Sequence, residues 1–379
     1  MSEYQYYEFQ AIDRRLTDEE MRGLRSFSSR ARITPTSFIN DYAWGSFKGD
    51  ENAWMEEYFD AFLYLANWGT HELKLRLPSR LLDPVLASVY CGGGSASVRK
   101  TNDKVILSFV SNDEESGEWV EGEGVLSSLI PVHAELARGD LRALYLGWLL
   151  RVEAGELDDE ELEPPVPAGL GRLSGSLEGL ADFLRVDNDL LHVAAQASAP
   201  LEETTLRRDE VRAWIAMLGA DEKNDVLIRL IVDGEQAPVA ELLQRFLKDR
   251  AGGTEQTPGT RRTVGDLLGA AKAYSRERRR IEAEKQAADK ARRDREAALA
   301  RERYLDGIAG REPSLWAEVD TLVATKQPKN YDQAVKLLVD LRDLHARTGG
   351  GNFRLRTEAL RREHARKPSF IDRLAKAGL

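Results

Sequence analysis

Cysteine is almost missing from this chain of 379 residues, with Cys91 the only one. One thiol closes no internal disulfide and supplies no cysteine-rich zinc site, an economy that fits a reducing compartment. Long apolar runs are missing too. The longest, Ala61–Ala66 and Ala143–Leu150, fall far short of the ~20 residues that span a bilayer, so no membrane partner is expected. The opening MSEYQYYEFQ has neither a basic stretch nor an apolar one, so no secretory leader is predicted and the expected location is cytoplasmic. Histidine is scarce and scattered, at His71, His133, His192, His345 and His364. No H-E-x-x-H pair occurs, and His133 and Glu135, two apart, point to different faces of a helix.

Three stretches invite a chemical reading and do not sustain it. Cys91 heads the run Cys91-Gly92-Gly93-Gly94-Ser95. A nucleophilic thiol needs a base beside it, and the local sequence offers none, so the cysteine reads as a small hydrophobe at a helix exit. Gly169-Leu170-Gly171-Arg172-Leu173-Ser174-Gly175 has a passing likeness to a phosphate loop. It lacks the preceding strand and the terminal Lys-Ser/Thr, and reads as a linker ending before a helix. The aromatics Trp44, Trp54, Tyr58, Phe59, Phe62, Tyr64 and Trp68 read as a core seam at helical spacing rather than a stacking platform. No catalytic residue, metal ligand or cofactor is assigned.

What is present is charge, unevenly placed. The net charge is −10, but residues 1–250 carry the acidic excess and residues 251–379 a basic one. A basic C-terminal third suggests an anionic partner, nucleic acid among them. The residues predicted to make such contacts are Arg276, Arg278, Arg279, Arg280, Arg292, Arg293, Arg361, Arg362, Arg366 and Lys367. Acidic residues are interleaved with them, and no aromatics are.

The patterning predicts an α+β N-terminal domain followed by an all-α helical domain, a long charged helix and a C-terminal helical hairpin. Tyr7, Phe9 and Ala11 alternate as in a strand. Thr17 and Glu20 form a capping box that starts a helix running to about Ser29. Ser37–Trp44 is strand-like. The apolar stripe from Trp54 to Ala66 predicts one long helix, ended by Gly69. Leu73, Leu75 and Leu77 alternate with charged residues, predicting a strand with one buried and one wet face. Ser95–Arg99 and Lys104–Val110 predict a hairpin at Asn102-Asp103, and helices follow at Val125–Ala137 and Leu141–Ala154. The predicted domains are 1–154; an acidic, proline-rich linker, 155–172; a helical bundle, 173–250; a second linker, 251–262; the long helix, 263–308; and the hairpin, 309–379. The long helix makes a poor coiled coil, because its heptad core positions include Glu284, Arg295 and Glu302.

Two stretches carry a resemblance. YYEFQAIDRRLTDEEMRGLRSFSSRARITPTSFINDYAWGSFKGD with YFDAFLYLANWGTHELKLRLP resembles a widespread bacterial family to which no activity is attached. The tail, YDQAVKLLVDLRDL through LRREHARKPSFIDRLAKAGL, is similar to a helical tail shared by bacterial proteins, some with a SWIM zinc finger. That finger needs C-x-C and C-x-H pairs, which one cysteine does not supply, so zinc is not carried over. The resemblance implies a bacterial protein of the cytosol and no activity. With site chemistry absent and linkers plentiful, the sequence favours a non-enzymatic adaptor that binds another protein. Nucleic-acid binding through the basic third is the alternative, and an enzyme assembled from distant residues the second alternative.

Overall fold

The alternation at Tyr7 and Phe9 becomes β1 (Gln5–Gln10) in the computed structural model, which describes residues 4–113, 121–201, 206–232, 235, 237–251, 261–349 and 352–379. The capping box forms as read: Thr17 Oγ1 accepts from the Glu20 N–H at 3.2 Å and Glu20 Oε2 from the Thr17 N–H at 2.7 Å. The helix it starts, α1 (Asp18–Arg25), stops four residues short of Ser29. Arg25 reaches past the helix end to the carbonyls of Ser28 and Ala31 and folds the chain into a loop. Then come β2 (Arg32–Thr34), β3 (Ser37–Tyr42) and α2 (Glu51–Glu57).

The predicted helix over Trp54–Ala66 is corrected. Only its first turns are helical; Ala61–Ala66 is strand β4, joined by a tight turn to β5 (Thr70–Pro78). A strand covered on both faces shows a continuous apolar run, which a helical template also fits. After α3 (Pro84–Tyr90), β6 (Ala96–Thr101) and β7 (Lys104–Asn112) form the expected hairpin, with Asn102 in the left-handed region. The seven strands pair antiparallel in the order β2-β3-β1-β4-β5-β7-β6.

Alternation divides these strands between two cores. Leu63, Leu73, Leu75, Leu107 and Phe109 face one. Tyr7, Phe9, Phe38 and Phe62 face the other, with Trp54, Met55 and Phe59 against them. The aromatic seam is therefore largely core, as read, but it lies on a sheet face rather than along a helix. The expected wet face of β5 is a second correction: Lys74 and Arg76 are buried on it, where Lys74 meets Glu51 of α2 and Arg76 meets Asp60.

The first core is closed by α4 (Val125–Ala137), α5 (Arg142–Glu153), α6 (Gly175–Leu184) and α7 (Asn188–Ala195). The stretch 155–172, read as an open linker, is packed. Tyr90 donates to the Pro165 carbonyl and Ser198 to that of Pro167, Pro164 and Glu163 are buried, and Leu162 bridges to Thr263. These hydroxyls satisfy proline carbonyls that would otherwise lack a donor. Next are α8 (Arg208–Met217), α9 (Ala220–Ile231) and α10 (Ala237–Ala251). Most of the second linker lies outside the described residues.

The long helix, α11 (Val264–Ile308), has 45 residues, about 68 Å at 1.5 Å per residue. The chain divides into two units, 1–277 and 278–379, with the boundary inside α11. One core of the first unit gathers residues from Tyr6 to Ala271, and it includes residues of the stretch 155–172. In the second unit the expected hairpin is a larger assembly. Helices α12 (Glu312–Ala324), α13 (Pro328–Thr348), α14 (Phe353–Glu363) and α15 (Pro368–Lys376) gather around Val319, Leu338 and Phe370, joined by Leu305 and Ile308 from the end of α11. Arg301 pairs with Asp343 at 2.7 Å and with buried Asp340, which also accepts from the Tyr304 hydroxyl at 2.9 Å. No helix among the described residues is long and apolar enough to cross a membrane.

Candidate functional site

The predicted anion contacts are not gathered into one surface. Arg276, Arg278, Arg279, Arg280, Arg292 and Arg293 are exposed on α11, where 100° per residue distributes them around the helix. Acids share their turns: Arg278 lies 4.0 Å from Glu282 and Arg292 lies 3.0 Å from Asp289. Arg361 and Arg362 end α14.

Arg366 and Lys367 are different. They line an open groove of about 500 Å³ with Lys326, Tyr331 and Ser369, at the first turns of α13 and α15. Lys367 Nζ donates to the Val323 carbonyl at 2.8 Å and so serves the C-terminus of α12. That leaves Arg366 and Lys326 as the exposed charges lining the groove. The arrangement suits a carboxylate or phosphate. Lys326 was not singled out in sequence because it stands alone between helices.

Three of the histidines make packing or hydrogen-bond contacts within the first unit. His133 Nε2 donates to the Arg76 carbonyl at 2.8 Å. His71 Nδ1 donates to the Phe183 carbonyl at 2.8 Å and Nε2 accepts from Arg185 at 3.0 Å. Burial, then the Arg185 charge, depresses the His71 pKa, so the ring is neutral at pH 7, and both nitrogens are occupied. His192 stacks on Tyr274. The densest buried charge is the Asp60–Arg76 pair. Asp60 accepts from the N–H groups of Ile12 (2.6 Å) and Asp13 (2.9 Å) as well as from Arg76, and Arg76 donates to the carbonyls of Met55 and Glu56 at 3.0 Å each. A carboxylate with its lone pairs committed in this way works as a pin.

Cys91 is fully buried at the end of α3, and burial pushes its thiol up to about 12. A protonated, shielded thiol is inert. Native protein is expected to react with Ellman's reagent on the order of a hundredfold more slowly than urea-unfolded protein; rapid stoichiometric labelling of the native state contradicts this placement. Gly169 sits within the packed stretch, not in an open linker, and Ser174 caps α6 through the Leu177 N–H, so only the helix start agrees with the sequence reading.

A different surface emerges on α9. The helix buries none of its residues, and Leu227, Ile228, Ile231 and Val232 all face solvent, Ile231 at 78% exposure. On α8, Ile215 and Met217 are exposed as well. Apolar residues three and four apart were visible in the sequence, but the same spacing describes a helix buried in a core. Only coordinates tell the two apart.

No family model, curated protein or solved structure matches the chain.

Proposed function

We propose that the protein is a non-enzymatic adaptor whose α9 receives an amphipathic helix of a partner protein. The exposed apolar strip of α9 carries this reading. Burying an aliphatic side chain is worth about 1.5–3 kcal/mol, so these four partly exposed residues leave roughly 4–8 kcal/mol of transfer free energy unclaimed. Exposed apolar strips of this kind mark interaction surfaces.

Charge specifies the partner further. Asp221 and Asp225 are exposed and enter no ion pair among the described residues. Helical spacing aligns them with Ile228 and Val232. A partner helix with an apolar strip and a basic flank complements this face. A photo-crosslinking residue at position 231, used in the native cell, names the partner, and calorimetry with the purified pair measures the contact. Ile231→Asp is expected to weaken binding at least about tenfold, and Asp221→Asn/Asp225→Asn to abolish its salt dependence. Undiminished binding by Ile231→Asp overturns the reading. So does a purified chain that dimerises through this face and becomes monomeric in Ile231→Asp.

A further inference from the structure

The loop after α1 and the loop after β3 enclose a second groove, on the sheet edge of the first unit, with a volume of about 320 Å³. Strand β2 pairs with Ser37–Ile39 of β3, and among the described residues Asn40–Tyr42 have no strand on their outer side. The α1–β2 loop takes that place. Asn40, itself buried, donates to Ser28 Oγ at 3.1 Å, and Arg25 holds the Ser28 and Ala31 carbonyls from the other side. The opposite wall is fixed equally well. Gly45 has φ +90°, which lets the chain turn sharply after β3, and its carbonyl accepts from Gln5 Nε2 at 2.7 Å. Phe47 anchors the loop in the core, stacked on Tyr7 at 5.0 Å and edge-on to Trp54 at 4.9 Å.

Between these pinned walls the groove presents exposed groups. The Trp44 indole is 78% exposed, although its loop is anchored and an apolar core lies only three residues away at Phe47. Arg30, Asp41 and Lys48 line the same groove. They are exposed, and none enters an ion pair among the described residues. A flat aromatic face beside two unpaired cations and one acceptor is the combination that holds a base with its phosphate. The base stacks, the cations neutralise the phosphate, and the carboxylate accepts from an amino group or a sugar hydroxyl.

We propose that this groove binds nucleotide, with the base on Trp44, the phosphate toward Arg30 and Lys48, and Asp41 on the polar edge. The site is independent of the partner surface on α9. The shared chemistry, base plus phosphate, occurs in a free mononucleotide and in a single-stranded nucleic acid, and the test separates them.

Fluorescence anisotropy of a fluorophore-labelled adenosine monophosphate and of a labelled 15-nucleotide oligoadenylate, each titrated with full-length protein, gives the two affinities. Saturable binding of either supports the site, and the tighter of the two names the source. Trp44→Ala is expected to weaken binding about tenfold, the loss of one stacked base. Arg30→Ala/Lys48→Ala should weaken it by a similar factor and flatten its salt dependence. These side chains are exposed, so the variants should unfold at the wild-type urea concentration, which separates a lost contact from a lost fold. The proposal is overturned if neither probe binds at millimolar protein, or if Trp44→Ala binds as wild type. It is equally overturned if binding survives in Arg30→Ala/Lys48→Ala and disappears in Arg366→Ala/Lys367→Ala, which would place the anion on the other unit. Competition by an unlabelled extended peptide but not by nucleotide would assign the edge to a strand-like ligand and likewise refute it.

Discussion

Asp60→Ala should destabilise the first unit by about 3–5 kcal/mol, the cost of leaving one partner of a buried ion pair behind. Asp60 is wholly buried and the Arg76 side chain is 5% exposed, so water does not replace the lost carboxylate. In all, three groups lose a partner in this substitution. The Ile12 and Asp13 N–H groups are left without their acceptor, and the Arg76 guanidinium, which also holds the last carbonyls of α2, loses the charge that orients it. Arg76→Ala alone should cost a comparable amount, because it strands Asp60. The double variant should cost less than the two single costs added together, with a coupling of about 1–3 kcal/mol. Equilibrium urea unfolding of the four proteins measures this cycle. Strict additivity would show that the pair is not coupled and that its separate backbone hydrogen bonds account for the effect.

That pair also shows why the sequence was legible in part. The alternation in β5 was plain: Leu73, Leu75 and Leu77 do face one core. What Glu72, Lys74 and Arg76 face was not. A charged residue on a strand reads as solvated unless its counter-charge is known, and here the counter-charges are Asp60, which precedes β4, and Glu51 of α2. The same limit explains the misread helix. Phe59, Phe62, Leu63 and Ala66 satisfy a helical stripe and a doubly covered strand alike, and pairing of Leu63 with Glu8 on one side and Leu73 on the other decides between them. By contrast, the Thr17–Glu20 box and the long helix were readable because each rests on neighbours within a turn or two. Of the predicted anion contacts, Arg366 and Lys367 come together in a groove, and their companion Lys326 is forty residues away in sequence. Trp44 was grouped with the core aromatics by proximity along the chain, and its exposure follows from the turn at Gly45, a local geometry that composition does not reveal.

Arg262→Ala is the second large effect, and it tests why the acidic, proline-rich stretch packs at all. Glu163 lies within that stretch, its side chain 3% exposed. Arg262 grips it with two hydrogen bonds, 2.8 and 2.7 Å, while donating to the Val193 carbonyl at 2.9 Å. The Tyr145 hydroxyl of α5 donates to the same carboxylate, and burial, then the Glu163 charge, raises the Tyr145 pKa. Backbone bonds run alongside, from the Glu163 N–H to the Arg262 carbonyl and from the Val264 N–H to the Glu161 carbonyl, both 2.9 Å. Glu163 and Arg262 together thus tie α5 and α7 to the start of α11. Removing the guanidinium strands a buried anion and should cost about 3–5 kcal/mol. Adding Glu163→Gln to Arg262→Ala should recover part of the loss, since a neutral amide needs no counter-charge and still accepts from Tyr145. Arg262→Lys should recover less than half, because a single ammonium does not reproduce the two-pronged contact. Hydrogen exchange over 157–165 locates the effect: faster exchange there in Arg262→Ala, with β4 and β5 unchanged, is the expected result. A loss below about 1 kcal/mol, the range of an exposed ion pair, would mean that proline packing and the backbone bridge alone hold this stretch to the unit.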